Sequence, residues 1–382
     1  GWPVTIIATP TGVPLFLGTT MQQNELKDIL KMFHNDWIKN RDSLIHQSQD
    51  WLTRYVNYNN RNVILMNDYV SDLRKWLSKN IDPLMGGFKG VQKFPNASRW
   101  TQLLDIDSSQ IIHAEALMNS IMTSPLYDVV DGGIHRYSSD KTWSIPHFEK
   151  LLIDQVNFMD LLLTLNDITS EPIYLDIVKD TLIFVHDKLR NDNELFITGL
   201  DAGTVGHQGE YYYVNQKIID LKLIGFDFIQ LTESEGLVSL RSIEDFQKVD
   251  RSLLKKYRKD FKEMPQKDLY VSIATNSKLM EIINRYQNVS GDRLFAQSIQ
   301  LIQSFLIDQL NEDLKLNDLL VIYDSFSKIG YKKDLNLIKD KITAHLILNF
   351  PYYKHLDYLP VELAKDSYKD TYDSPQKLYY IL

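Results

Sequence analysis

Apolar residues recur at helical spacing along most of the chain, from about residue 42 to about residue 348. In these segments they follow the i, i+3, i+4 pattern that places apolar side chains on one face of an α-helix. Short loops join many of the segments, which predicts antiparallel neighbouring helices. The predicted helices are 43–58, 67–79, 108–122, 146–165, 172–190, 242–261, 276–286, 292–310, 316–329 and 333–348.

The start of the chain has a different pattern. Two short runs rich in β-formers, 4–8 and 13–17, flank a turn and predict a β-hairpin, and a helix is predicted over 24–39. Two strands and one helix do not bury a core of their own. This piece is therefore expected to dock on the rest of the chain or to have its other half upstream. We expect an α/β unit over residues 1–41 and a helical domain over residues 42–382.

Serial helical hairpins favour an (α/α) toroid, so the expected fold class is mainly α. We count about ten helices, whereas a complete ring of six hairpins has twelve. The ring is therefore expected to be incomplete, or to end in a degenerate hairpin at 352–382. Two further irregular segments are a Gly/Pro-containing loop at 82–100 and a predicted β-hairpin at 195–214.

Composition limits the function classes. The 382 residues carry a formal net charge of −8 and no cysteine. The negative charge argues against a nucleic-acid partner. The lack of cysteine excludes disulfides and thiol catalysis within these residues. No apolar run approaches the roughly 18–20 residues of a membrane span, and no signal peptide is evident, so we expect a cytoplasmic protein that does not associate with membranes.

Candidate catalytic residues cluster at 128–149. His147 and Glu149 are expected in the first turn of a helix, where the helix dipole disfavours the imidazolium form. A neutral His147 would then act as general base, oriented by Glu149. His135 and Arg136 would supply a second proton relay and a clamp for an anion or hydroxyl, as a sugar epimerase needs.

Candidate substrate-binding residues are Lys93, Phe94, Tyr137, Trp143 and Asp201. Aromatic rings at these positions would stack on a sugar. A single aromatic residue is nevertheless more often part of a core. No His-x-x-x-His pair or calcium-type loop is present, so we predict neither a metal site nor a cofactor.

Several motifs carry a resemblance to a known family. They are Gly-Gly-Ile-His-Arg-Tyr at 132–137, Pro-His-Phe-Glu-Lys-Leu-Leu at 146–152, Gly-Gly-Phe-Lys-Gly-Val-Gln-Lys-Phe-Pro at 86–95, Gly-Trp-Pro at 1–3, Leu-Asp-Ala at 200–202 and Glu-Tyr-Tyr-Tyr-Val at 210–214. Together they resemble the spermatogenesis-associated protein 20 family of thioredoxin-domain-containing proteins.

The resemblance implies part of a thioredoxin-like domain, with a cis Trp2–Pro3 bond, followed by a six-hairpin toroid similar to N-acylglucosamine 2-epimerases and glycosidases. The family's Cys-x-x-Cys-type motif lies in a region ahead of Gly-Trp-Pro that this chain does not contain, so no redox activity is implied. The chain departs from the family pattern at Val91-Gln92, at Gly203 and at Thr275-Asn276. These changes indicate an altered substrate or a catalytically inactive relative.

Three functions stay open. The first is an enzyme that binds a carbohydrate-like small molecule in the toroid cleft and moves a proton, as an epimerase or isomerase does. The second is a non-catalytic or redox-adaptor protein with a protein partner. The third is a glycoside hydrolase, which needs two carboxylates. Its candidates, without a diagnostic spacing, are Asp128, Asp131, Glu149, Asp154 and Asp201.

Overall fold

The structure, a computed structural model, describes residues 5–9, 14–18, 21–60, 69–204, 207–221, 225–258 and 264–349. The helices are α1 Gln23–Asn60, α2 Tyr69–Asn80, α3 Ala97–Ile106, α4 Ile111–Met122, α5 Leu152–Thr169, α6 Ile173–Lys188, α7 Arg251–Arg258, α8 Ile273–Ser290, α9 Ala296–Gln309, α10 Leu316–Lys328 and α11 Leu335–Asn349. The strands are β1 Thr5–Ala8, β2 Pro14–Gly18, β3 Tyr137–Ser138, β4 Pro146–His147, β5 Lys150–Leu151, β6 Gly199–Leu200, β7 Gly203–Thr204, β8 His207–Gln208, β9 Val214–Asn215, β10 Phe226–Gln230, β11 Glu235–Leu240 and β12 Lys267–Asp268.

The chain forms two compact units, which meet in sequence between Asp72 and Leu73. In the first unit β1 and β2 pair antiparallel, as predicted. The ring of Phe16 on β2 lies 5.9 Å from the ring of Phe33 on α1. Helix α1 kinks at Asn40, where φ is −135° and ψ is 29°. The boundary at 41/42 and the thioredoxin-like assignment stay predictions, and the Trp2–Pro3 bond lies outside the described residues.

In the second unit, helices pack in pairs along an inner row. Helices α3, α5, α8 and α10 lie side by side in that order, while α6 packs on α5, α9 on α8 and α11 on α10. Helix α5 is buried along most of its length, and its Leu161, Leu162 and Leu163 are all fully buried. A helix of this kind belongs in the interior. The predicted mainly α fold of successive helical hairpins is confirmed.

The predicted helix entry at Pro146 is wrong. Pro146–His147 forms β4, which pairs antiparallel with β3, and Lys150–Leu151 forms β5, which pairs antiparallel with β6. Helix α5 begins only at Leu152. Proline suits the edge of a sheet as well as the first turn of a helix. At Pro146 the pairing of β4 with β3 favours the strand over the helix.

Two other local predictions also fail, and one hairpin was not predicted. The two arms predicted for a β-hairpin at 195–214 do not pair with each other in the described part of that segment. Instead β6 pairs with β5 and β12, and β7 pairs antiparallel with β8 where the turn was predicted. Helix α3 begins inside the predicted loop at 82–100, and its Trp100 and Leu104 are buried. The hairpin formed by β10 and β11, which pair in a regular antiparallel register, was not predicted.

A buried ion cluster fixes the motif loop, which we define as residues 123–151. Asp128 accepts hydrogen bonds from Lys150 Nζ at 2.7 Å and from Arg258 Nη2 at 2.8 Å. Arg258 also donates to Asp131 at 3.0 Å and to the carbonyl of Tyr212 at 3.1 Å. The four ionised side chains are at most 9% exposed. The cluster therefore ties the motif loop to the 210–212 turn and to α7.

The glycines of the motif allow this close approach. Gly132 has φ +88° and Gly133 has φ +74°, and both angles lie in the left-handed region that favours glycine. A Cβ on Gly132 would lie 2.6 Å from Oδ2 of Asp180, and one on Gly133 would lie 2.6 Å from Oε1 of Gln155. The backbone at these two positions has no room for a side chain.

We predict that Lys150→Met destabilises the protein by about 3–5 kcal/mol, because it leaves two buried carboxylates, Asp128 and Asp131, with Arg258 as their one remaining cation in the cluster. The measurement is the free energy of unfolding in urea. The matched control is Lys179→Met, which removes a partly exposed ion pair with Asp292 and should cost less than about 1 kcal/mol. Equal losses in the two variants would contradict a structural role for the cluster.

Candidate functional site

Two segments of the motif loop, 135–137 and 147–150, point some side chains into the protein and others toward its surface. His135 and Lys150 are buried, whereas Arg136, His147 and Glu149 are only partly buried. Alternation with period two is what an extended backbone produces. The backbone N–H of Arg136 donates to the carbonyl of Glu149 at 2.9 Å, which holds these two segments together. The outward side chains therefore meet on one surface.

This surface, which we call the motif face, comprises Phe94, Arg136, Tyr137, His147, Glu149 and Asp154. Three of its rings form a stack. The Phe94 and Tyr137 ring centroids are 4.6 Å apart with an interplanar angle of 19°, and those of Tyr137 and His147 are 4.7 Å apart at 14°. Phe94 is 42% exposed. The stack gives the motif face an aromatic platform.

Glu149 is the ionised group of the motif face. Its Oε2 accepts a hydrogen bond from Arg136 Nη1 at 2.6 Å and lies 3.4 Å from Nδ1 of His147. The contact with the His147 ring and the bond from Arg136 together lower the pKa of Glu149 to about 2, against the effect of burial. Glu149 is therefore a carboxylate at neutral pH.

Asp154, in the first turn of α5, behaves in the opposite way. Burial raises its pKa to about 7, with Arg136 opposing the rise and Glu149 adding to it. Its Oδ2 is closed to solvent and receives no hydrogen bond, although the residue as a whole stays partly exposed. Sequence reasoning placed Asp154 only among general carboxylate candidates. Its position five residues after Glu149 was the available signal.

Three of the predicted site residues are buried in structural contacts. His135 is 1% exposed, its Nδ1 lies 3.1 Å from the carbonyl oxygen of Phe148, and burial, reinforced by Lys150, lowers its pKa to about 3. A histidine in this setting stays neutral and does not reach the motif face. It is therefore not placed to act as a second base.

Lys93 and Trp143 are each 1% exposed. Lys93 donates to Asp82 at 2.7 Å and to the carbonyl of Gly86 at 2.9 Å. Trp143 donates through Nε1 to the carbonyl of Met85 at 2.6 Å. Both side chains fasten the 82–88 turn and present no surface to a ligand.

Asp201 and His147 also differ from expectation. Asp201 is exposed, and its Oδ1 accepts a hydrogen bond from the N–H of Ala202 at 2.7 Å. His147 lies on β4 and not in a helix, so the helix-dipole argument for its neutral state does not apply. Within the described ranges, no group of three His, Asp or Glu side chains is placed to hold a metal ion. No helix in that part of the chain is long and apolar enough to cross a membrane.

The fold and the motif face thus define a mainly α protein of helical hairpins with a loop-borne polar site. No family model matches the chain. Spermatogenesis-associated protein 20 of Mus musculus is 28% identical over 243 residues, which cover 56% of this chain and 30% of the mouse protein. The protein of that name from Homo sapiens is 25% identical over 231 residues, covering 55% and 29%. These relatives confirm the resemblance to the spermatogenesis-associated protein 20 family, although the chain spans less than a third of their length.

Solved structures with a similar fold share little sequence with this chain. Cellobiose 2-epimerase from Bacillus thermoamylovorans has a TM-score of 0.45 at 12% identity, covering 74% of this chain and 73% of the epimerase chain. A family 76 glycoside hydrolase (mannosidase) from Bacteroides thetaiotaomicron has a TM-score of 0.41 at 8% identity, covering 67% and 59%. Similarity at this level does not identify a substrate.

The raised pKa of Asp154 predicts a pH dependence of stability. Its folded pKa of about 7 lies above the unfolded value of 3.8, so the stabilisation contributed by Asp154 is lost as the pH rises from about 4 to about 7. The lowered pKa of buried His135 acts in the opposite direction below about pH 6.5, so wild type and variant are compared. Asp154→Asn should remove the Asp154 contribution to the slope and, at pH 8, be more stable than wild type by on the order of 2 kcal/mol. The measurement is urea unfolding at pH 4.5 and pH 8.

The control for this prediction is Asp313→Asn, which changes an exposed carboxyl outside the motif face. It should leave the wild-type slope intact. Glu149 does not confuse the result, because its lowered pKa affects stability only as the pH falls below about 4.5. An unchanged slope in Asp154→Asn would show that Asp154 is not a buried acid.

Proposed function

We propose that the motif face binds a carbohydrate-like small molecule and transfers protons at it, with Asp154 as general acid and Glu149 as general base. The observation that carries the proposal is the pairing of two carboxyls in opposite states. Glu149 is held ionised by Arg136 and His147, whereas Asp154 keeps its proton near neutral pH. Two titratable groups whose pKa values are driven apart are typical of acid–base sites.

The platform of Phe94, Tyr137 and His147 supports the substrate class. An aromatic face packs against the C–H groups of a sugar ring, and the polar groups beside it bind hydroxyls. Arg136 supplies donors at the rim of the platform and, at the same time, fixes Glu149. The groups needed to bind a polyhydroxylated ring and to move one of its protons are therefore adjacent.

Two reactions fit such a pair. Epimerisation or isomerisation requires a base to remove a proton from carbon and an acid to return one. Glycoside hydrolysis requires an acid for the leaving oxygen and a carboxylate on the other side of the bond. The sequence shows no carboxylate pair of diagnostic spacing. Glu149 and Asp154 are the pair that hydrolysis would use, which makes it the second candidate. Product analysis distinguishes an epimer from a cleaved glycoside.

A binding protein without catalysis is the remaining alternative, and a protein partner belongs to it. That alternative predicts ligand binding without turnover. A cytoplasmic location and the lack of a nucleic-acid partner stay predictions from composition. No residue of the motif face requires a metal or cofactor for the proposed proton transfer.

We predict that maltose or mannose raises the melting temperature of the wild-type protein and that Glu149→Gln abolishes this rise. The amide cannot carry the charge that Arg136 and His147 hold in place, so the ligand loses a charge-assisted hydrogen bond. The measurement is a thermal-shift titration. The matched control, Glu171→Gln, changes an exposed carboxylate outside the motif face and should keep the full rise. A rise that persists in Glu149→Gln would place the ligand elsewhere.

We further predict a pH–rate profile that falls above pH 7, because turnover requires ionised Glu149 and protonated Asp154. Asp154→Asn should lower the rate constant by roughly 10²–10⁴-fold and remove the fall above pH 7. The measurement is the initial rate of product formation from pH 5 to pH 9. A fall above pH 7 that is retained in Asp154→Asn would assign the acid to another group.

A further inference from the structure

A second site lies on the inner row of helices, away from the motif face. Helices α3, α5, α8 and α10 enclose a cleft of about 540 Å³. On α5 the cleft reaches Asp167, in the last turn, whereas Asp154 stands in the first turn. Asp160, the cleft residue of α5 that lies nearest to Asp154 in sequence, follows it by six residues, which is about 9 Å along the helix axis and about 120° around it. The cleft is therefore a separate candidate site.

The charged residues of the cleft are divided by sign between its two sides. The α3 and α5 side carries Asp105, Asp160 and Asp167, and the α8 and α10 side carries Lys278, Arg285, Lys328 and Glu281. Apolar side chains of Leu104, Ile168 and Ile282 also line the cleft. The cleft thus combines an acidic side, a mainly basic side and apolar surface.

The carboxylates of Asp160 and Asp167 on the acidic side can accept further hydrogen bonds. Arg285 donates to Oδ1 of Asp160 at 2.8 Å and to Oδ2 of Asp167 at 2.7 Å. One guanidinium therefore serves two carboxylates, each of which accepts up to about four hydrogen bonds. Burial raises the pKa of Asp160, although the charges of Lys278, Arg285 and Lys328 all act to lower it. An additional ammonium group would satisfy this side.

The ammonium groups of Lys278 and Lys328 on the basic side can donate further hydrogen bonds. Lys278 donates to Oε2 of Glu281 at 2.9 Å, and Lys328 approaches the same oxygen at 3.3 Å. Lys328 also donates to Asp324 at 2.6 Å. Each ammonium has three donors, so two lysines that share one carboxylate oxygen can still bind a further carboxylate. Lys278 is 23% exposed and Lys328 is 37% exposed, which leaves them within reach of a ligand.

We propose that this cleft binds a small zwitterion whose ammonium and carboxylate are joined by an apolar chain. The ammonium would lie on Asp160 and Asp167, the carboxylate on Lys278 and Lys328, and the chain on the apolar surface. The proposal uses no residue of the motif face and does not depend on the function proposed for it.

The test is isothermal titration of the full chain with three probes of equal chain length: 6-aminohexanoate, hexylamine and hexanoate. The first carries both charges, and each of the others carries one. We expect 6-aminohexanoate to bind at least about tenfold more tightly than hexylamine, and hexanoate to bind most weakly. Equal affinity for hexylamine or hexanoate, or no saturable binding of 6-aminohexanoate, would overturn the proposal.

Variants assign the bound probe to the cleft. Asp167→Asn should weaken 6-aminohexanoate and hexylamine by about tenfold, and Lys278→Met should weaken 6-aminohexanoate and hexanoate to a similar degree. Asp167 is 49% exposed, so its variant is expected to fold, and the melting temperature verifies this. Lys179→Met, outside the cleft, should change nothing.

The motif-face variant Glu149→Gln separates the two proposed sites. It should bind 6-aminohexanoate as wild type does. If Glu149→Gln loses the probe while Asp167→Asn keeps it, the zwitterion binds the motif face and the cleft proposal fails, with the acid–base proposal unaffected.

Discussion

The buried carboxylate of Asp128 is the constraint on which the arrangement of the motif loop depends. It sits in the protein interior with Lys150, 22 residues away in sequence, and Arg258, 130 residues away. A buried charge without partners is strongly destabilising, so both cations must be present in the folded protein. Their presence fixes where β5 ends and where α7 packs. Because Lys150 points inward to Asp128, its neighbour Glu149 points outward.

The outward position of Glu149 places it near Asp154, and the pKa values of these two carboxyls are shifted in opposite directions. Glu149 contacts Arg136 and His147, and these contacts favour its ionised form. Asp154 follows within one turn of the β5–α5 junction, where burial without a hydrogen bond at Oδ2 favours the neutral form. Residue type alone does not distinguish the two, since both are carboxylic acids with similar intrinsic pKa values. The difference arises from their surroundings.

Helix α5 connects the parts of the second unit. It packs against α3, α6 and α8, so its leucines are buried on every side. Its first turn carries Asp154 on the motif face, its middle carries Asp160 in the cleft, and its last turn carries Asp167 there. A helix packed in this way is a rigid support, and rigid elements position polar groups more precisely than loops do. Two separate polar sites thereby share one apolar scaffold.

The amino-acid sequence was sufficient for the helical hairpins, the first hairpin and the family resemblance, because these depend on local periodicity and on collinear motifs. It also brought together Arg136, Tyr137, His147 and Glu149, which are close in the chain. It misplaced His135, Lys93 and Trp143, whose aromatic or charged character suits a core contact as well as a ligand. It named Asp154 only as one of five candidate carboxylates. Burial and protonation depend on contacts with distant segments. Two strand pairs, β3 with β4 and β5 with β6, act together with the Asp128 cluster to determine which side chains point outward. Those contacts exist only once the chain has folded.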